Sequence, residues 1–469
     1  MHSPLDKNAD SSPEHLSSQS PLSKATPCDS AAPETLYKEQ TALALDNFKI
    51  SGTPMPSEFI HALALLKASA ANANAEVAGL DSEIAIDIQR AAMEVAQGDH
   101  DNEFMVDVYQ TGSGTSTNMN ANEVIATLAE RKLGRQVHPN DHVNMGQSSN
   151  DVIPSAIHLS ATLALSQHLI PALQSLKSAI DAKSILYRDT VKTGRTHLMD
   201  AMPITLGQEL SGWSKQIQQS ISRLIEVLPR ISTLALGGTA VGTGSNTHPD
   251  FAATACRHLN QLTGLRFMPA DNYFAAISSQ DTAVEVSGHL NTLAVSLMKI
   301  CNDLRWMNSG PLTGLGEIAL DKLQAGSSIM PGKVNPVIPE ALAMVCAQVM
   351  GYHQSITIAG QSGNFQLNTM LPLVGYNLLT SISILSNGIN ALTHKAIVTM
   401  RANSDRMAES ISMNPILVTA LNSRVGYEKG ALIAKAAYEE KRPVIDIATQ
   451  MTDIPREELE KLLDPKSMT

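Results

Sequence analysis

The clearest feature of the sequence is a set of long apolar stripes with helical spacing in its central half. Apolar residues recur at intervals of three and four from Val286 to Leu304, which is the spacing of one face of a long helix. Similar stripes cover residues 206–228, closed by Pro229, and 153–180, with a kink predicted at Pro171; two more cover 339–350 and 371–400. Because several helices of about 25 residues exceed the usual globular length, the pattern predicts a mainly α protein with a central bundle of long helices.

The rest of the chain divides at the two ends of this bundle. Residues 1–33 hold eight Ser and five Pro without periodicity, which predicts a disordered tail. The following residues show shorter helical patterns, as do the last 65. We therefore expect four segments: the tail at 1–33, an N-terminal mixed helical domain at 34–143, the bundle domain at 144–402 and a small C-terminal helical domain at 403–469.

Composition and charge exclude several classes of protein. With 34 Lys and Arg against 45 Asp and Glu, the net charge is −11, which argues against a nucleic-acid partner. The sequence contains no run of 18 uninterrupted apolar residues, so we expect no membrane-spanning helix. The N-terminus lacks an apolar signal core, and the four separated cysteines fit a reducing compartment, so we expect a cytoplasmic protein. An anion site in such an acidic chain must be built locally from a few cations and oriented N–H groups.

Two strings rich in Gly, Ser, Thr and Asn are candidates for binding an anion. Residues 112–118 and 144–151 combine small residues, which let a backbone approach a ligand, with hydroxyl and amide groups that bind a carboxylate without net charge. Each string by itself fits a Gly/Ser turn or a helix N-cap equally well.

Two further loops carry stronger chemistry. The loop predicted at 194–201 contains His197, the one side chain there that titrates near neutral pH, although a histidine packed at a helix start fits the same string. The loop at 326–336 places Lys333, Asn335 and two Ser between paired Gly and Pro residues. This composition predicts a mobile lid with polar groups for a ligand.

Together, the four strings resemble those of the fumarase/aspartase superfamily. The most specific is Gly-Ser-Ser-Ile-Met-Pro-Gly-Lys-Val-Asn-Pro at 326–336, supported by Gly-Arg-Thr-His at 194–197 and Ser-Ser-Asn-Asp at 148–151. The resemblance covers about residues 36–465 and is greatest to class II fumarases, because His197 stands where aspartate ammonia-lyases usually carry Gln.

Two alternatives stay open beside the fumarase interpretation. Residues 114–120 and 335–340 resemble aspartases more closely, so an aspartate ammonia-lyase is the second hypothesis. The third is an inactive helical scaffold, which the intact lid residues argue against.

The resemblance implies a three-domain fold and a homotetramer in which each active site draws residues from three subunits. It implies the reversible anti addition of water to fumarate through an aci-carboxylate intermediate, giving L-malate, which is a reaction of the tricarboxylic acid cycle. The partners would be small dicarboxylates, and no metal or organic cofactor is implied.

The resemblance also assigns residues to roles. Ser327 would be the base that takes the C3 proton, and His197, paired with Glu340 and beside Thr196, would activate the water at C2. Lys333 and Asn335 would complete the catalytic set and also bind substrate. The remaining substrate-binding residues would be Ser113, Thr115, Asn118, Ser148, Ser149 and Asn150. An accessory dicarboxylate site would contain Arg135, His138, Asn140 and Asp141, although His138 fits a helix cap equally well.

Overall fold

Seventeen α-helices make up most of the computed structural model, which describes residues 35–469. The predicted disordered tail at 1–33 lies outside the described residues. Four helices precede the bundle: α1 Glu39–Asn47, α2 Ser57–Val77, α3 Ser82–Ala96 and α4 Thr115–Leu133. Eight follow: α5 Ser149–Ala164, α6 Ile170–Leu186, α7 Leu206–Ile231, α8 Phe251–Thr263, α9 Tyr273–Ser278, α10 Asp281–Met307, α11 Val337–Gly360 and α12 Leu371–Leu392. The last five are α13 Ser404–Ser412, α14 Asn422–Val425, α15 Tyr427–Glu440, α16 Val444–Met451 and α17 Arg456–Leu462.

Eight short strands pair two by two in the described chain. They are β1 Val191–Thr196, β2 Met199–Thr205, β3 Thr233–Leu234, β4 Met268–Pro269, β5 Ile318–Ala319, β6 Gly363–Asn364, β7 Leu367–Asn368 and β8 Arg401–Ala402. The pairs β1–β2, β5–β8 and β6–β7 are antiparallel, and β3–β4 is parallel. The prediction of a mainly α protein is confirmed.

The long helices pack through the apolar stripes that the sequence shows. Every stripe residue of α10 from Val286 to Leu304 is fully buried, and α10 packs against α7 and α11. Helix α11 in turn packs against α12, and α6 packs against α7. The predicted long-helix bundle is therefore confirmed, since the stripes form one continuous core.

The predicted irregularity near Pro171 is present as a widened turn. The helical path from Ser149 to Leu186 passes through a π-helical turn at Leu165–Leu169, directly before α6. Proline lacks an N–H donor and its ring collides with the carbonyl four residues earlier, and a widened turn relieves both problems.

Two local predictions are wrong. Helix α7 does not end at Pro229 but continues to Ile231, whose side chain is fully buried against the core. The proline removes one hydrogen bond from the last turn only, and packing holds that turn in place. The segment 194–201 is not a loop within the bundle but the end of the antiparallel β1–β2 hairpin. Its turn residues His197 and Leu198 have φ values of 55° and 61°, the left-handed pair that a two-residue hairpin turn requires.

The C-terminal helices have an apolar core of their own. It contains Ile411, Leu421, Ile433, Val444 and Leu459, and it is separate from the bundle core. The domain boundaries expected at residues 143 and 402 stay predictions.

Candidate active site

The first predicted string folds into a tight turn pressed against the start of α12. A side chain at Gly112 would place its Cβ 1.8 Å from the carbonyl oxygen of Thr369, so only glycine fits there. The Leu371 N–H donates to the Gly112 carbonyl oxygen at 3.0 Å. Gly114 then takes a φ of 71° and is the N-cap residue of α4. The glycines of this string thus allow a close backbone approach that sets the position of the α4 N-terminus.

Hydroxyl groups join this turn to the second string. Ser113 Oγ and Thr115 Oγ1 lie 2.8 Å apart, and Thr115 Oγ1 lies 2.8 Å from Ser149 Oγ. Thr115 and Ser149 are the first residues of α4 and α5. The two helix N-termini therefore meet at a chain of hydroxyls, and each N-terminus carries a partial positive charge that favours an anion.

The start of α5 is fixed by a capping box. Ser148 Oγ accepts the Asn150 N–H at 3.2 Å, and Asp151 Oδ1 accepts the Ser148 N–H at 2.9 Å. The other oxygen of Asp151 accepts the N–H groups of Gly237 and Thr239, both at 2.9 Å. Burial raises the pKa of Asp151 to about 6, although its backbone donors act in the opposite direction. One buried carboxylate thus joins the α5 cap to the glycine-rich segment after β3.

These elements surround a cavity of about 370 Å³ whose lining side chains are all uncharged. Within the described chain, Asn118 Oδ1 and Thr239 Oγ1 are buried there without a hydrogen-bond partner. Buried polar atoms of this kind are usually satisfied by water or by a ligand. The predicted binding residues lining it are Thr115, Asn118, Ser148 and Ser149. The other two predicted binding residues contact the lining: the Ser113 hydroxyl bonds to that of Thr115, and Asn150 Nδ2 donates to the Ala240 carbonyl oxygen at 2.9 Å. We call this cavity the neutral pocket.

Thr196 and His197 lie at the exposed tip of the β1–β2 hairpin. Two basic residues of β1 anchor the hairpin: Arg195 pairs with the buried Glu317 at 2.8 Å, and Lys192 pairs with Glu317 and Glu209, both at 2.7 Å. An anchored strand that presents an exposed imidazole suits a group that acts on a ligand bound by another surface.

The lid is organised around its own polar residues. Ser327 Oγ accepts the N–H groups of Ile329 at 3.2 Å and Met330 at 3.1 Å. Lys333 Nζ donates to Asn335 Oδ1 at 2.8 Å, and Asn335 Nδ2 donates to the Gly326 carbonyl oxygen at 2.8 Å. The two ends of the lid are therefore closed on each other.

The lid borders an open cavity of about 810 Å³. Lys333, Asn335 and Glu340 line this cavity together with Arg305 and Arg401. The apolar lid residue Ile329 is 83% exposed, which is unusual for an isoleucine on a surface that contacts only solvent.

Comparison with known proteins identifies the family. Residues 29–351 match a family described as "Lyase", and residues 417–469 match one described as "Fumarase C C-terminus". A Pseudomonas aeruginosa protein named "Fumarate hydratase class II 2" is 57% identical over 440 residues, covering 94% of this chain and 96% of that protein. The chain belongs to the class II fumarase family.

Further relatives agree with this assignment. A class II fumarate hydratase of Xylella fastidiosa is 56% identical and covers 93% of this chain and 92% of that protein. The crystal structure of class II fumarase from Schistosoma mansoni has a TM-score of 0.90 at 38% identity, covering 93% of this chain and 96% of that one. The fumarase/aspartase-like fold expected from the sequence is confirmed, and the aspartate ammonia-lyase alternative is not favoured.

In this fumarase-family chain the predicted site residues form three groups. The neutral pocket, the hairpin tip and the lid are not joined to one another by a hydrogen bond or ion pair among residues 35–469, and the expected pair of His197 with Glu340 does not form within one chain. The pairing and the catalytic roles stay predictions.

In this fumarase-family chain, residues of the predicted accessory site form ion pairs and hydrogen bonds with their neighbours. Arg135 pairs with Asp81 at 2.7 Å and with Glu83 at 3.4 Å. His138 Nδ1 accepts the N–H groups of Asn140 at 3.3 Å and Asp141 at 3.0 Å, so it caps the turn that follows. Ligand binding at this second site stays a prediction.

Sequence reasoning missed Lys67 of α2, which lies behind the neutral pocket. Its buried ammonium donates to Asn144 and Gln147, two pocket-lining residues of the candidate string 144–151. A lysine within a helix usually lies at the surface, so nothing in the local sequence marks Lys67.

Proposed function

We propose that the chain catalyses the reversible hydration of fumarate to L-malate, by anti addition of water through an aci-carboxylate intermediate. The observation that supports this best is the neutral pocket at the meeting point of two helix N-termini, in a chain that also carries His197 and the lid. A dicarboxylate fits such a pocket because hydroxyls, amides and N–H groups bind a carboxylate without a competing acidic group.

The difficult step is removal of a weakly acidic proton from the carbon beside a carboxylate. The aci-carboxylate that forms carries extra negative charge on its oxygens, and donors fixed in advance stabilise it. In our proposal, Ser113, Thr115, Asn118, Ser148, Ser149 and Asn150 bind the substrate carboxylates. Lys333 adds the cation that the neutral pocket itself lacks, and Asn335 holds Lys333 in place.

Ser327 takes the C3 proton in the direction from malate to fumarate. A serine hydroxyl is a weak base, and the N–H groups of Ile329 and Met330 favour its alkoxide form by donating to the oxygen. His197, oriented by Glu340 and assisted by Thr196, binds the water that leaves C2. A carboxylate partner fixes the tautomer of the imidazole and increases its basicity.

We propose that a complete site draws on more than one copy of the chain, in a homotetramer. The proposal is supported by the absence, among residues 35–469, of any hydrogen bond or ion pair that joins the three groups. It is also supported by exposed apolar side chains on the long helices, such as Ile225, Val295 and Met344. Sedimentation analysis of the purified protein measures the assembly directly. A monomer with full activity contradicts this part of the proposal.

We also propose a cytoplasmic location. Cys256, Cys301 and Cys346 are buried free thiols, as expected in a reducing compartment. No α-helix in residues 35–469 has the length and apolar character needed to cross a bilayer.

The proposed reaction is tested by mixing the purified protein with fumarate in ammonium-free buffer and following the ultraviolet absorbance of the double bond. We expect the absorbance to fall and L-malate to appear as the product. Loss of fumarate only when ammonium is added contradicts the proposal and indicates that the chain is an ammonia-lyase.

A further inference from the structure

A fully buried lysine lies behind the neutral pocket. Lys67 occupies the middle of α2, and none of its surface is exposed. Its Nζ donates to Asn144 Oδ1 at 2.9 Å and to Gln147 Oε1 at 3.0 Å. Both acceptors are neutral amides that line the neutral pocket. The ammonium group is therefore one side chain away from any ligand in that pocket.

The lysine and a substrate-binding residue share one oxygen. Asn144 Oδ1 also accepts hydrogen bonds from Asn118 Nδ2 at 3.1 Å and from Asn122 Nδ2 at 3.2 Å. Asn144 and Gln147 are further fixed because Asn144 Nδ2 donates to the Gln147 carbonyl oxygen at 3.1 Å. The orientation of Asn118 thus depends on a network centred on Lys67.

Within residues 35–469, no carboxylate contacts the Lys67 ammonium directly. Asp151 on α5 attracts it, but the oxygens of Asp151 accept three backbone N–H groups instead. A buried ammonium without a direct counter-charge is unfavourable, whereas a methionine of similar length would fill the same space without burying a charge. An anion in the neutral pocket supplies the missing counter-charge.

We infer that Lys67 is a positioning residue that holds Asn144 and Asn118 in place for the substrate. We infer also that its buried positive charge is matched only when a dicarboxylate occupies the neutral pocket. The inference rests on the proposed function, since it concerns the binding of that substrate class. It adds a residue of α2 that touches the pocket through Asn144 rather than the reacting atoms.

The surroundings of Lys67 predict that substrate binding is coupled to a proton. Burial lowers the pKa of Lys67 to about 7, while attraction to Asp151 acts in the opposite direction. Helices α3, α4, α8 and α12 and the turn Pro139–Val143 also pack against α2. Helix α12 has no charged residue. Charged groups of the other elements have partners elsewhere: Asp87 pairs with Arg90, Glu123 accepts N–H groups at the start of α1, Arg257 pairs with Glu76, Asp141 pairs with His138, and His142 accepts the His138 N–H.

A dianion in the pocket stabilises the charged form of Lys67 and raises its pKa. Above pH 7 the free protein has lost this proton, so binding must take one up, and the affinity falls as the pH rises. Fumarate and succinate are both fully ionised in this range, so the ligand itself does not contribute to the change.

The test compares three variants with the wild type. In Lys67→Met we expect KM for fumarate to rise at least about tenfold with a smaller change in kcat, since binding rather than chemistry is affected. Lys67→Arg keeps a charge at every accessible pH, so it should bind well and lose the dependence of KM on pH above 7. Lys435→Met, at an exposed site on α15, is the matched control and should behave as the wild type.

Proton uptake is measured by calorimetric titration of succinate at pH 7.5 in two buffers of different ionisation enthalpy. The wild type should take up a fraction of a proton, and Lys67→Met should take up less. If Lys67→Met does not fold, His197→Asn decides: uptake that persists without His197 supports the inference, and uptake that disappears overturns it. A folded Lys67→Met with wild-type KM and proton uptake also overturns the inference. A wild type that does not hydrate fumarate contradicts the proposed function instead.

Discussion

At the scale of single residues, the lid serine shows how the backbone can prepare a weak base. Two N–H groups already donate to Ser327 Oγ, so the negative charge that develops there has partners before the substrate arrives. Ser327→Ala should lower kcat by about a hundredfold or more with little change in KM, because proton transfer is lost while the binding groups stay. Steady-state kinetics with L-malate measures both constants.

The neighbouring serine provides the control for that experiment. Ser328 is exposed on the same lid, and Ser328→Ala should keep both kinetic constants within about twofold, as surface substitutions usually do. Near-normal turnover in Ser327→Ala would remove the base assignment.

The histidine at the hairpin tip has a different expected signature. His197→Asn should lower kcat by roughly a hundredfold, because the water at C2 loses its general acid and base. His394→Asn, at another exposed histidine on the turn after α12, should leave kcat unchanged. Wild-type rates in His197→Asn would return this residue to a role in the hairpin turn alone.

The sequence identified residues best where the chemistry is local. Ser327, Lys333 and Asn335 lie within nine positions of one another, so their string is informative without knowledge of the fold. Lys67 is 77 positions from Asn144, and only the packing of α2 against the pocket brings the two together. Residues that act through tertiary contacts leave no local signal.

At the scale of elements, the N-terminus of α5 depends on one carboxylate. Asp151 accepts the N–H groups of Ser148, Gly237 and Thr239 in a buried environment. Asp151→Ala removes the acceptor of these three donors, two of which are buried, and should destabilise the protein by roughly 3 kcal/mol or more. Urea unfolding followed by circular dichroism measures this change. The control is Asp99→Ala at an exposed site, and equal stability of the two variants would contradict the role of Asp151.

The turn and short strands of the β1–β2 hairpin explain why the sequence predicts a loop at 194–201. Two-residue hairpin turns favour Asn-Gly and Asp-Gly, whereas this turn uses His197 and Leu198 at positive φ. The flanking strands pair over few residues and carry a bulge between Thr193 and Arg195, so they show no clear alternation. The long helices, by contrast, were predictable because each buries a stripe that repeats over many turns.

At the scale of the whole molecule, the proposed sharing of each site between subunits determines what mixed assemblies should do. The proposed homotetramer takes the hairpin tip and the lid of one site from different subunits. In tetramers that contain His197→Asn and Ser327→Ala chains in equal amounts, some sites then combine a normal tip with a normal lid. Random assembly should restore about a quarter of wild-type activity, since each of the two groups is normal with a probability of about one half.

The matched control uses two lesions in the same group. Ser327→Ala and Lys333→Ala both alter the lid, so every lid in their mixed tetramers carries one lesion and no activity should return. Both mixtures are prepared by unfolding the variants together, refolding them and measuring fumarate hydration per tetramer. If the His197→Asn and Ser327→Ala mixture stays inactive while tetramers form, the tip and the lid of one site belong to the same chain. The chain must then bring them together by a rearrangement of the hairpin or the lid, because no hydrogen bond or ion pair joins the two among residues 35–469.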